Sequence, residues 1–351
     1  MTLIAMTLNA GNPVMIADLL WSTNDQAEVP TVLLPTHLDG APTMKQEIKP
    51  VHLTQKLYII SDTLALAFSG SFDEIRQFVN DSKLFLSDGP MSLDRMNEYL
   101  KGYPKERITT LSIIFWIVLK DKEQVNFAIS SYGNVKKVSD ARFGSVYAAG
   151  SGASQFLKIL KQPNEYTEGI HNKVLYQNLC LLGYWFGNEI GSNETLMNHW
   201  GAGYEMIVFK DSRLVKLDEY SVVTRIVSLG RSKLEVTGNN LINFYYKDRN
   251  LIAESFDSSQ GKIITIPPID AEPITVTELN RSLTFKNVII SYVVHNVKAN
   301  DKLFPAIVLI NSTNKDEIVI EESRDNKNKY TVSIRADIEN DFLAYLRQLV
   351  E

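Results

Sequence analysis

Thr2-Leu3-Ile4-Ala5-Met6-Thr7-Leu8, then Asn9-Ala10-Gly11-Asn12-Pro13, then Val14-Met15-Ile16-Ala17-Asp18-Leu19-Leu20: the fold turns on how these nineteen positions are read. Two short apolar segments flank a run of residues whose side chains favour turns, which predicts a hairpin whose second strand ends near Asp18. Residues 21–50 then mix polar side chains with Pro30, Pro35, Pro42 and Pro50, the pattern of an irregular excursion.

Outward from that hairpin, residues 56–60 and 63–68 flank Ser61-Asp62 and predict a second hairpin, closed by Ser69-Gly70-Ser71. Ser71 is placed to cap a helix through residue 84, because Phe72, Ile75, Phe78 and Val79 recur at helical spacing. A second helix is expected over 92–100, then strands over 109–119, 125–130 and 144–149. Gly150-Ser151-Gly152 opens a further helix through residue 160. Residues 174–190 are so apolar that they predict a buried helix. A hairpin over 204–209 and 214–217 ends this part. From about residue 221 the chain changes to short β-type runs (262–266, 288–294, 306–310, 329–334) and closes on an amphipathic helix over 338–349. The division expected is therefore 1–220 and a β-rich module, 221–351.

Composition narrows the function classes. The 351 residues are 44% hydrophobic and 22% charged, enough to build a core. With 36 Lys and Arg against 41 Asp and Glu the net charge is −5, and no basic stripe of a nucleic-acid binder is present. One cysteine, Cys180, allows no internal disulfide and no cysteine zinc site, which fits a reducing cytoplasm. The first basic residue is Lys45, and Asn9, Asn12 and Asp18 interrupt the apolar start, so export is not expected. The apolar stretch 111–119 is too short to span a bilayer. The histidines His37, His52, His171, His199 and His295 lack metal-ligand spacing, so neither metal nor other cofactor is expected.

Four residues stand where chemistry needs them: Thr2 at the start of the first strand, Asp18 at the end of the second, Lys56 at the head of Lys56-Leu57-Tyr58-Ile59-Ile60, and Gly70 after the next strand. Together with Tyr147-Ala148-Ala149-Gly150-Ser151-Gly152, this order resembles the proteasome β-subunit and its bacterial relative HslV, members of the N-terminal-nucleophile hydrolases. The resemblance covers about residues 2–220. It implies an α+β fold, a four-layer αββα sandwich of two sheets between helical layers, here followed by the β-rich module. It implies a Thr-dependent amide hydrolase, most simply a threonine peptidase, acting on a peptide or amide substrate. Rings of such subunits imply a homo-oligomer, and the extra module leaves room for a protein partner. In this scheme Met1 is removed, Thr2 Oγ attacks, its own freed amine takes the proton, Lys56 and Asp18 tune it, and the N–H of Gly70 binds the oxyanion.

Each residue also has a plainer role: Thr2 as an ordinary strand residue, Asp18 as a strand end, Lys56 as a solvated strand start, Gly70 as a tight connection. The long connection from Asp18 to Lys56, which carries Lys45 and Lys49 as rival lysines, departs from the family, and two motif positions depart as well. Ala153 stands where a serine is usual, and His199-Trp200-Gly201-Ala202-Gly203-Tyr204 lacks the expected Asp and Ser. These departures motivate the alternative of an inactive relative serving as an assembly or interaction module.

Overall fold

The computed structural model describes residues 2–9, 12–23, 32–39, 49–86, 91–121, 124–160, 173–229, 234–257, 260–277, 287–295, 302–303, 306–310, 318–323 and 326–350. The first elements are β1 (Ile4–Asn9), β2 (Asn12–Asp18), β3 (Leu20–Thr23), β4 (Lys49–Leu53), β5 (Leu57–Ser61), β6 (Leu64–Ser69), α1 (Phe72–Leu86) and α2 (Leu93–Gly102). Then come β7 (Ser112–Asp121), β8 (Gln124–Tyr132), β9 (Lys136–Asp140), β10 (Gly144–Ala149), α3 (Ala153–Ile159), α4 (Lys173–Ser192), α5 (Glu194–Met197), β11 (Tyr204–Lys210) and β12 (Arg213–Lys216). The last part holds β13 (Glu219–Leu229), β14 (Leu234–Lys247), β15 (Asn250–Phe256), β16 (Gly261–Ile266), β17 (Asn287–His295), β18 (Lys302–Leu303), β19 (Ala306–Ile310), β20 (Ile318–Ser323), β21 (Asn326–Ile334) and α6 (Ala336–Val350).

The opening hairpin forms as its pattern predicts, with Ile4 opposite Ala17 and pairing that extends to Asn9 opposite Asn12. It is the centre of a six-stranded antiparallel sheet, β12-β11-β2-β1-β10-β9. Because side chains alternate across a strand, one face presents Ile4, Met6, Met15 and Ala17 to the four-stranded sheet β5-β6-β7-β8, which answers with Leu57, Ala65, Ala67, Ile114 and Trp116. The opposite face of that four-stranded sheet carries Leu66, Phe68, Ile113 and Phe115 against Ile75, Phe78 and Val79 of α1 and Met96 of α2. Ser92 caps α2 by accepting the Arg95 N–H at 3.1 Å, satisfying an end amide that the helix leaves free.

The expected α+β four-layer αββα sandwich is overturned. Strands dominate, twenty-one against six α-helices among the described residues, in several sheets that are mainly antiparallel. The physical reason lies in α4. Every residue from Tyr176 to Glu189 is buried, and a helix buried round its whole circumference needs cover on both sides. Leu3, Ala5 and Ile16 of the six-stranded sheet cover one side, and Val222, Ile242, Ala253, Ile289 and Val293 of the sheet β16-β15-β14-β13-β17-β18 join the same core. What the sandwich would make an outer helical layer is interior here. The far face of that last sheet packs Val223, Ile290 and Tyr292 on Phe342 and Leu346 of α6.

The excursion after the first hairpin is not wholly irregular either. Leu20 pairs with Leu53 and Trp21 with His52, so β3 and β4 make a small sheet of their own, with a register shift just before Pro50. No helix among the described residues is long and apolar enough to cross a membrane.

Candidate functional site

Asp18 ends β2 opposite Tyr204 of β11, and both it and Lys56 are wholly buried. Asp18 Oδ1 accepts the Thr2 hydroxyl at 2.7 Å, the Leu3 N–H at 2.8 Å and the Lys56 ammonium at 2.6 Å, while Oδ2 accepts the Gly201 N–H at 2.9 Å. Four donors on one carboxylate offset its removal from water. The Lys56 ammonium also donates to Leu20 O at 2.5 Å, and the ring of Trp21 faces it at 5.8 Å. Burial pulls the Lys56 ammonium below the ordinary lysine range, with the neighbouring Asp18 carboxylate opposing that fall. Lys56 is held from behind as well: Glu205 Oε1 accepts the backbone N–H groups of Lys56 and Leu57, and Lys56 O accepts the Phe68 N–H at 3.2 Å.

Thr2 is fixed from its other side by the turn before α3. The Thr2 N–H donates to Ser151 Oγ at 3.0 Å, and Thr2 O accepts the Gly152 N–H at 3.2 Å. A side chain at position 150 would begin 2.1 Å from Thr2 O, so this approach depends on Gly150. Thr2 itself is 3% exposed.

Thr2, Asp18 and Lys56 thus converge. Gly70 sits at the end of β6, at the same end of the sheet as Lys56, with φ +141° and the Thr110 carbonyl 2.7 Å from where a Cβ would stand. Its glycine identity is explained by that close approach. No hydrogen bond among the described residues joins it to Thr2, Asp18 or Lys56. Of the rival lysines, Lys49 is exposed in β4, and Lys45 lies outside the described residues. Ala153, the first departure, is the buried opening residue of α3; the hydroxyl that reaches Thr2 comes from Ser151, two positions earlier.

At the second departure the main chain supplies polar groups. Where the motif lacks Asp and Ser side chains, the loop between α5 and β11 offers amides instead: Gly201 N–H to Asp18, and Gly201 O accepting the N–H groups of Leu19 and Leu20 at 3.2 and 3.1 Å. Ser151 and Gly201 are site residues that the motif reading did not single out. Ser151 was visible as the middle of a Gly-Ser-Gly turn, but a backbone donor leaves no residue-type signature. Burial lowers the His199 pKa.

Beside the site a cavity of about 600 Å³ is lined by His52, Thr54, Phe72, Arg76, Pro268 and Ile269, among others. Trp21 links the two, stacking on His52 with 4° between planes and meeting Phe72 edge-on. Burial, and secondarily the Lys56 charge, lowers the His52 pKa, so His52 is neutral at pH 7. Among the described residues no three His, Cys, Asp or Glu side chains are grouped as a metal ion requires. Neither the known family models nor the curated proteins contain a match to this chain.

Proposed function

We infer that the chain is a threonine-dependent amide hydrolase, most simply a peptidase, whose nucleophile is unmasked by cleavage of the Met1–Thr2 bond. The observation that carries this is the meeting of the Thr2 hydroxyl, the Asp18 carboxylate and the Lys56 ammonium within 2.7 Å contacts. The resemblance of these residues to N-terminal-nucleophile hydrolases points the same way. Cleavage turns the Thr2 amide nitrogen, now donating to Ser151, into an amine with an ordinary pKa of roughly 7.7–8.0. That amine takes the Thr2 hydroxyl proton as Oγ bonds to the substrate carbonyl carbon. The buried Lys56 ammonium favours the developing alkoxide, and Asp18 keeps that ammonium charged. The C–N bond breaks as the leaving amine takes the proton, and water then cleaves the Thr2 ester with the same amine as base. The Gly70 N–H is assigned to the oxyanion. The neighbouring cavity offers room for an apolar substrate group. A reducing, cytoplasmic setting suits the lone buried thiol of Cys180, and the exposed Leu84 and Phe85 (75% and 65%) suit self-association.

The test is intact-mass measurement of the amino end followed by treatment with a threonine-directed electrophile. The expected result is a chain starting at Thr2 that takes one label, lost in Thr2→Ala. Retained Met1, or labelling that survives Thr2→Ala, overturns the mechanism. A second reading, an interaction module without hydrolysis, is favoured by the 3% exposure of Thr2. It expects Thr2→Ala to leave function and assembly intact.

A further inference from the structure

Glu189 is a carboxylate with no part in the steps above, wholly buried on the most apolar helix of the chain. Such a group is costly unless its oxygens are satisfied. They are: both accept the Ala202 N–H, at 3.1 and 3.0 Å, Oε1 also takes the Thr36 hydroxyl, and Oε2 takes the Thr195 hydroxyl at 3.2 Å.

The segment it grips has an unusual backbone. His199 (φ 65°), Gly201 (φ 123°), Ala202 (φ 60°) and Gly203 (φ 103°) all lie in the left-handed region, where residues with a Cβ are disfavoured. His199 and Ala202 hold that shape only if something outside the loop imposes it. A Cβ on Gly201 would stand 2.3 Å from Glu189 Oε2, so the carboxylate packs directly on this residue. The adjacent amides therefore face two different buried carboxyl groups: Gly201 N–H faces Asp18, and Ala202 N–H faces Glu189.

We propose that Glu189 is a positioning residue for the Thr2 site. By clamping the Ala202 amide and packing on Gly201, it holds the 199–203 loop so that the Gly201 N–H occupies Asp18 Oδ2 and leaves Oδ1 to Thr2 and Lys56. Thr36 extends the clamp to the excursion after β3, since its hydroxyl also meets His37 Nδ1 at 3.0 Å and His37 Nε2 meets Asn193 Oδ1 at 2.7 Å. Burial raises the Glu189 carboxyl, the hydrogen bonds from Thr36, Ala202 and Thr195 oppose that rise, and the Asp18 charge adds to it; Glu189 in turn raises the neighbouring Tyr204. The effect on rate rests on the threonine-hydrolase reading; the clamp itself does not.

The experiment compares wild type with Glu189→Gln by two readouts. Amide hydrogen exchange of Gly201 and Ala202 is expected to speed up at least tenfold in Glu189→Gln. The maximal rate of Thr2 labelling by the electrophile is expected to fall at least tenfold while the half-saturating concentration stays the same. Adding Ala202→Gly, which accepts a positive φ without help, should recover most of the lost rate, a rescue that mere loss of stability does not allow. Unchanged exchange and labelling in Glu189→Gln overturn the proposal. If Glu189→Gln does not fold, Glu189→Asp carries the same test with a shift of threefold or more, since it keeps the charge but shortens the reach. If wild-type Thr2 takes no label, the hydrolase reading fails, and the exchange result still decides whether Glu189 is the clamp.

Discussion

Four donors on Asp18 and two acceptors on Lys56 make the two partners of one ion pair unequal. Removing the carboxylate in Asp18→Ala strands the Thr2 hydroxyl, the Leu3 and Gly201 amides and a buried ammonium, at an expected cost of about 3–5 kcal/mol. Lys56→Met leaves Asp18 with its three other donors and should cost roughly 2 kcal/mol less. Urea denaturation of both variants checks this, and the opposite order would show that the lysine, not the carboxylate, organises the site. Glu189 gives a pH signature. Burial pushes its carboxyl up to about 7 from 4.5, so the folded state holds a proton that the unfolded chain releases. Its contribution is complete below pH 4.5 and is lost as pH rises through 7, about 3 kcal/mol in all. Glu189→Gln removes the titrating proton, so its stability measured from pH 4.5 to 8 should decline less than that of wild type; parallel curves would refute the assignment. At this scale the meeting of Thr2, Asp18 and Lys56 was legible because side-chain types at set places along the strands can be read from the letters. Gly201 was not, because its contribution is an amide that every residue but proline has, aimed by a backbone conformation the letters do not display.

Among the elements, α4 shows how far a pattern can be read. Its strongly apolar character predicts burial, and Tyr176 to Glu189 are all buried. Trp185, wholly buried between Phe156, Trp200 and Tyr204, should cost about 3–5 kcal/mol on truncation to Ala; a loss under 1 kcal/mol in thermal or chemical unfolding would mean the core around it is loosely packed. What that pattern does not announce is the second cover that burial on all sides demands, and there the expected sandwich failed. β3 and β4 were missed for another reason. Four prolines in residues 21–50 argue locally against a strand pattern, whereas the Trp21–His52 pairing and the edge-on contacts of both rings with Phe72 are long-range contacts that local propensity does not register.

Over the whole molecule, the shared core has a consequence for dissection. A fragment of residues 1–220 keeps α4 but loses Val222, Ile242, Ala253, Ile289 and Val293 from around it. It should associate or bind a hydrophobic dye, as judged by size-exclusion chromatography and dye fluorescence, and a monomeric, dye-silent fragment would contradict the shared core. The polar seam between the halves agrees: Gln55 donates to Arg249 O and Ile266 O at 2.8 Å, and Asp270 accepts from Arg249 and Lys83. The groups that enclose Thr2 are remote along the chain, Ser151 by 149 positions and, through Asp18, Gly201 by 183. At ribosomal speeds of about 5–20 residues per second, the loop that completes the enclosure emerges roughly 10–40 s after the start. During that interval Thr2 is not yet enclosed; afterwards it is 3% exposed. Under the proposed mechanism Met1 has to leave before that enclosure forms, so protein purified with methionine still attached should resist added aminopeptidase until it is unfolded.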